Sequence, residues 1–593
     1  MTPATSIDTD IGRRIWASRY RHTGNGETAE NDMRATWRRV ARALAGVERS
    51  DMAQWEARFF ELLEDLRFLP GGRILAGAGL QNAPSLFNCF VMSRPTNEAT
   101  QLVQCLSELT QTVLAGGGVG YDFSTVAPAG SGGDLRGGVV PVLHLWNDLC
   151  GALGAGRVRG GAMLGSLRCD HPDIEAFVAA KREDRALDHF NLSVLVTDAF
   201  MKAVEADADW PLLFPLADSP SADFIVDRAW PGSGGVVPCR IWRVIRAGEL
   251  WDAIMRGNYD AAEPGVLFID RMQRADNLHH AEEICTTNPC GEVPLPCYGA
   301  CDLGSLNLTR FVREPFTPAA RIDTEAIRAC VPVAVRLLDN VYELSGFPLE
   351  RQRRTARAAR RVGLGVMGLA DALIMLGLRY DGADARAVAA DILRTIRDAA
   401  YRASADLARE KGAFELFSAA QFLAGEFATR LPDDIRADIA RCGLRNSHLV
   451  ALAPTGSISL LAGGVSAGIE PVPAWEYQRQ IHLHAHGSET VELTDHACAL
   501  FRELYGRAAP LPAAFLTAPQ IDPHAQLAMH AALQEYVDNA VSKTITVPAD
   551  YPYDEFRSLY ERAYALGLKG CTTYRQGSRR ASVLERAAAA RNS

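Results

Sequence analysis

The chain has 593 residues, 48% hydrophobic and 22% charged, with 62 basic against 71 acidic side chains and a formal net charge of −9. That length exceeds what one ordinary core organises, and the acidic balance excludes a broad nucleic-acid-binding face while leaving room for small nucleotides. No apolar run approaches the roughly 20 residues that cross a bilayer, and the polar start MTPATSIDTD does not read as a secretory leader. Thirteen cysteines without a CxxC pair fit a reducing compartment better than a disulfide scaffold. The expected setting is the cytoplasm, without membrane or nucleic-acid partners.

In chain order, residues 1–68 read as a helical region, with Trp16, Tyr20, Trp37, Trp55, Phe59 and Leu62 spaced among charged residues. LPGGRILAGAG (69–79) breaks that pattern. From there to about 310, short apolar runs (LFNCFVM, GGGVGYDF, GAMLGSL, FNLSVLV, GVLFI) alternate with glycine-rich turns and helix-like stretches such as PDIEAFVAAKRED. Such alternation predicts an α/β fold. Residues 350–412 read as strongly helical, with Gly412 as the stop. The strand-like HLVALA (448–453) leads into PTGSIS, and the small, polar residues 578–593 read as a flexible tail. The expected division is 1–68, 69–577 and 578–593, with no internal repeat.

The chemistry-bearing segment is TTNPCGEVPLPCYGACDLGSLNL (286–308). In an extended chain Asn288, Cys290 and Glu292 share a face, but Pro289 and Gly291 suit a loop tip better. Buried packing thiols are an alternative. So is zinc on Cys285, Cys290, Cys297 and Cys301, although the pairs lie closer together than zinc knuckles usually do. Cys89, in SLFNCFVM, would as an isolated residue be core. APTGSIS (453–459) offers Thr455, Ser457 and Ser459 hydroxyls and the Gly456 amide at a strand-to-helix turn, an anion cradle in principle. It is not a P-loop, and GGGVG (116–120) is not a dinucleotide fingerprint.

Taken together, NCF (88–90), NPCGE (288–292) and APTGSIS resemble the catalytic subunit of ribonucleotide reductases. The likeness continues through GGGVGYDFS (116–124), DHPDIEAF (170–177), FNLSV (190–194), EPGVLFIDR (263–271), RRVGLGVMGLADAL (360–373), RNSHL (445–449), SKTITVP (542–548) and LKGCTTYR (568–575). It spans residues 65–575 and is nearest to the class II enzymes. The resemblance implies a ten-stranded α/β barrel with an inner finger loop, reducing ribonucleotides, as diphosphates, to deoxyribonucleotides. Cys290 would be the thiyl radical, Glu292 the acid and base at the 3′-hydroxyl, and Asn288 the group that holds the ribose. Cys89 and Cys301 would be the redox pair that ends as a disulfide. Asn88 and the turn Pro454, Thr455, Gly456, Ser457, Ile458 and Ser459 would bind substrate.

Adenosylcobalamin is the implied cofactor. LKGCTTYRQG carries only Tyr574 where reductases with a metal subunit carry paired tyrosines, and no glycyl-radical motif precedes Ser593. Two features depart from the family. VVPVLHLWND (139–148) replaces the usual segment beside the effector loop, and no cysteine follows Cys571. Electrons are therefore expected from a small dithiol or a thioredoxin-type protein, or through a separate cysteine-bearing partner. The resemblance also implies a homodimer and a deoxynucleotide effector. No segment of 1–68 matches the family's ATP-binding cone, so dATP should not act as a general off-switch. The rival readings are a class I-type catalytic subunit and an inactive nucleotide-binding regulator.

Overall fold

The N-terminal amphipathic pattern folds as helices α1 (Asp10–Arg19), α2 (Met33–Ala45) and α3 (Met52–Glu64). Side chains just ahead of two of them satisfy their first amides: Thr9 accepts from Gly12 N–H and Asp32 from Ala35 N–H. Trp16, Tyr20, Trp37 and Phe59 point inward, and the Trp16 indole donates to Thr36 Oγ1 at 2.7 Å.

The structure is a computed structural model that describes residues 9–24, 29–81, 85–131, 136–154, 162–182, 187–216, 224–483, 487–578 and 584–586. The chain forms two compact units, each discontinuous in sequence. One comprises Met1–Asn88, Cys301–Lys543 and Ala581–Ser593; the other comprises Cys89–Ala300 and Thr544–Arg580. Among the described residues no helix is long and apolar enough to cross a membrane.

The main strands in chain order are β1 (Phe68–Pro70), β2 (Cys89–Val91), β3 (Gly118–Asp122), β4 (Met163–Arg168), β5 (Phe190–Val196), β6 (Gly265–Phe268), β7 (Thr286–Thr287), β8 (Pro294–Leu295), β9 (Ala300–Asn307), β10 (Val362–Met367), β11 (Thr544–Val547) and β12 (Gly570–Arg575). In the second unit β2, β3, β4, β5 and β6 pair in parallel. Helices Ala99–Leu114 and Val139–Gly154 make the crossovers on either side of β3, as parallel pairing requires. β12 runs antiparallel to β6, and β11 parallel to β12. A separate antiparallel sheet joins Asp209–Pro215, Ile225–Ala229 and Val236–Arg246. The fold is α/β, as expected.

In the first unit β9 pairs antiparallel with β1 and parallel with β10. β10 corrects the reading of 350–412 as helix throughout: helices Glu350–Ala359, Leu369–Met375 and Ala383–Lys411 flank a strand there. The reason is VGLGVM itself. Glycine is a poor helix former, and here it permits close approach: a Cβ on Gly363 would overlap the Leu303 side chain, and one on Gly365 the Ala451 carbonyl. Gly412, at φ 88°, does end its helix. HLVALA makes only single bridges, Leu364 to Val450 and Leu452 to Val541, rather than a ladder. Within the segment expected to be a flexible tail, Leu584–Arg586 pairs with the strand Glu476–Leu483; residues 579–583 and 587–593 lie outside the described residues.

Candidate active site

β7 and β8 form a hairpin in register Thr286 to Leu295. Its tip is a turn closed by Gly291 N–H donating to the Asn288 carbonyl at 3.1 Å. Pro289 occupies the second position, where its fixed φ suits a turn, and Gly291 adopts φ 85°, which favours glycine. Neighbouring strands pin the hairpin. Asn191 Nδ2 donates to the Pro289 carbonyl at 3.1 Å, and Ser166 Oγ to Thr286 Oγ1 at 2.9 Å. Gly120 on β3 has no room for a side chain, because a Cβ would overlap the Thr287 carbonyl oxygen. The last glycine of the GGGVG run thus serves backbone packing.

The turn separates the three side chains that an extended chain would have aligned. Cys290 is exposed at the tip, whereas Asn288 and Glu292 are each 1% exposed. Asn288 Oδ1 accepts from Val293 N–H at 3.0 Å, and its Nδ2 donates to Cys89 Sγ at 3.2 Å. Glu292 Oε2 is buried without a hydrogen-bond partner. Burial pushes the Glu292 carboxyl up to about 7, against the opposing hydrogen bond from Asn288. A carboxyl poised near neutrality can give or take a proton at physiological pH.

Asn88, Cys301 and the hydroxyl turn belong to the first unit. Cys301 is a buried thiol that donates to the Asp302 carbonyl at 3.3 Å. Asn88 Oδ1 is buried without a hydrogen-bond partner. Thr455, at φ 56°, opens the short helix α4 (Gly456–Leu461). Thr455 Oγ1 accepts from Gly468 N–H at 2.8 Å, and Ser459 Oγ donates to the Gly456 carbonyl at 3.2 Å. Ile458 is core, 6% exposed, and Pro454 is half-buried.

Two residues at this turn escape a sequence reading. Arg19, at the end of α1, donates to Ser457 Oγ at 2.6 Å. Arg479 brings a guanidinium nitrogen to 3.9 Å from where a Gly456 Cβ would lie. Burial lowers the pKa of Arg479, with only Tyr477 opposing. A desolvated cation beside hydroxyls and helix amides favours an anion. No local motif marks either arginine, since both reach the turn through tertiary folding. Of the four thiols considered for zinc, Cys285 and Cys297 contact each other. Among the described residues no group of three ligating side chains is placed to hold a metal.

Fold and hairpin together define an α/β protein with an exposed thiol at the tip of a pinned turn. Residues 87–574 match the family model "Ribonucleotide reductase, barrel domain", and residues 8–83 match "Ribonucleotide reductase, all-alpha domain". The chain therefore belongs to the ribonucleotide reductases. It is 37% identical to a "Vitamin B12-dependent ribonucleoside-diphosphate reductase" of Mycobacterium tuberculosis, over 96% of this chain and 79% of the relative. A reductase of the same description from Thermoplasma acidophilum is 31% identical, over 89% of this chain and 66% of the relative. A "Ribonucleoside-diphosphate reductase subunit alpha" of Chlamydia pneumoniae is 25% identical, over 93% of this chain and 57% of the relative.

Proposed function

We propose that this chain reduces ribonucleoside diphosphates to their 2′-deoxy forms in the cytoplasm, through a thiyl radical on Cys290 generated with adenosylcobalamin. The observation that carries the reading is the buried Glu292 carboxyl, held near neutrality two residues from an exposed thiol on a pinned turn. Replacing a ribose 2′-hydroxyl is hard because hydroxide leaves poorly and the carbon has no acidifying neighbour. Removing the 3′ hydrogen as an atom solves this, since the adjacent hydroxyl can then depart as water once protonated.

The chain's residues divide that work. Cys290 takes the 3′ hydrogen and later returns it. Glu292 exchanges the proton of the 3′-hydroxyl, for which it must be neutral in one step and ionised in another. Asn288 positions Cys89 and the Val293 amide by the bonds described above, which sets the neighbourhood of Glu292. Cys89 and Cys301 supply the two electrons and end oxidised. The substrate's phosphates take the Thr455–Ser459 turn with Arg19 and Arg479, and Asn88 offers its open carbonyl oxygen to the nucleotide.

Adenosylcobalamin, when bound, would supply the radical that Cys290 carries. The residues at the tip would leave room for such a group: Cys290 is exposed, and a side chain built on Gly291 would meet nothing within 4 Å. A dithiol or thioredoxin-type reductant restores the cysteines, a deoxynucleotide acts as effector, and the working form is a homodimer. The test is ribonucleotide turnover by the purified chain with and without adenosylcobalamin. Deoxynucleotide should form only with the cofactor. Formation without cobalamin, on adding a di-metal partner subunit, would overturn the proposal.

A further inference from the structure

Two thiols outside this chemistry meet at the base of the active-site hairpin. Cys285 N–H donates to the Leu295 carbonyl at 2.8 Å, one residue below the β7–β8 pair. On the opposite side Pro296–Gly299 form a turn, closed by Gly299 N–H on the Pro296 carbonyl at 2.9 Å, with Tyr298 at φ 62°. Tyr298 is anchored there by its hydroxyl, which donates to Glu108 Oε2 at 3.0 Å. The turn carries Cys297 across the neck, near enough to Cys285 for each thiol to bias the other's protonation.

A cation acts on the pair. The charge of Arg94 acts on both sulfurs, and its guanidinium is fixed by Asp122 and Glu283, each at 2.8 Å. Cys285 and the Arg94 charge draw Cys297 below the ordinary thiol range, whereas burial holds Cys285 well above it. Cys297 is half-buried and Cys285 buried. A reachable, thiolate-leaning sulfur beside a protonated one is the arrangement of an attacking and a resolving thiol.

We propose that Cys285 and Cys297 are a second redox dithiol, oxidised by a peroxide to a disulfide that closes the neck of the hairpin and switches off the site above it. The Cys297 thiolate attacks one peroxide oxygen, the O–O bond breaks, and the departing hydroxide takes up a proton. Cys297 is then a sulfenic acid. The Cys285 sulfur displaces its hydroxyl, which leaves as water with the Cys285 proton, and the S–S bond forms. The two thiols lose two electrons, and the peroxide becomes two waters.

Bond formation shortens the sulfur separation to about 2.05 Å and pulls on the strand that leads to Asn288. A displacement of about 1 Å near reacting groups can cost about 100-fold in rate. This consequence rests on the reductase reading; formation of the disulfide does not.

The test uses the full chain, reduced and then treated with an equimolar amount of hydrogen peroxide in thiol-free buffer, followed by alkylation and peptide mapping. The expected product is a Cys285–Cys297 cross-link with Cys290 still alkylated as a thiol. With adenosylcobalamin, exchange of the nucleotide's 3′ hydrogen, which calls on Cys290 and not on Cys89 or Cys301, should slow at least about tenfold and recover with dithiothreitol. Cys297→Ser, and Cys285→Ala as a variant without a buried hydroxyl, should exchange normally before peroxide and keep that rate after it. Recovery of both residues as alkylated thiols after Cys89 and Cys301 have oxidised would overturn the dithiol. A cross-link with unchanged exchange would overturn the switch. Failure of the reductase reading would show separately, as no exchange before oxidation.

Discussion

Glu292→Gln should abolish turnover and at the same time stabilise the fold, by an amount that grows with pH. The carboxyl is 1% exposed, and one of its oxygens has no hydrogen-bond partner, so ionising it in place is costly. Burial pushes its pKa in the folded chain up to about 7, against an ordinary 4.5. The folded state therefore holds this proton more tightly than the unfolded chain does. Stability is complete below the unfolded pKa, falls as pH rises from about 4.5 towards 7, and stays at its lowest above 7. At about 1.4 kcal/mol per pH unit, the cost is about 1 kcal/mol at pH 5.5 and about 3 kcal/mol at pH 8. Glutamine keeps the shape and cannot ionise, so the variant escapes that cost. For a chain this long, 3 kcal/mol corresponds to roughly 2 °C in Tm, and more if the unit carrying the hairpin melts on its own. Calorimetric melting of both proteins at several pH values between 5.5 and 8 would measure the difference. A variant that melts lower than the parent throughout, or by a margin that ignores pH, would show that Glu292 is ionised and partnered in the fold, and the acid–base assignment would fall with it.

Cys290→Ser should end exchange of the substrate 3′ hydrogen, whereas Cys301→Ser should retain exchange and fail in net reduction; normal exchange by the Cys290 variant would refute the division of roles. Arg479→Ala should raise KM for the ribonucleotide by about tenfold or more, the worth of a lost hydrogen bond to a charged group, with a smaller effect on kcat. An unchanged KM would remove Arg479 from the phosphate site. Gly363→Ala must displace Leu303 or Ala451, and overpacking of this kind costs about 1–3 kcal/mol. A Tm equal to that of the parent would mean that β9 and β10 have slack there.

The hairpin was legible because its chemistry is local. Asn288, Pro289, Cys290, Gly291 and Glu292 are neighbours in the chain, and proline with glycine announces a turn whatever surrounds it. The N-terminal helices and the parallel strands were legible for the same kind of reason, since periodicity is written within each segment. β10 was not, because VGLGVM lies between strong helix formers and its glycines make sense only against Leu303 and Ala451. Arg19 and Arg479 were invisible among the chain's other arginines, since proximity to Ser457 and Gly456 is their sole distinction. Cys285 and Cys297 were seen, but as candidate zinc ligands; spacing cannot tell a metal site from a thiol pair across a hairpin neck.

These blind spots bear on the chemistry itself. The Glu292 carboxyl holds its proton up to about pH 7 because the hairpin packs tightly enough to keep it dry. That packing requires β3 to offer no side chain opposite the Thr287 carbonyl, which only Gly120 achieves. It also requires Asn191 and Ser166 to hold the turn from the adjoining strands. A residue at position 120 that pushed the hairpin outward would admit water to Glu292 and lower its pKa toward that of an ordinary carboxylate, removing the proton donor without touching any residue of the NPCGE motif. The motif carries the candidate groups, but the packing that keeps Glu292 dry also depends on a glycine on another strand.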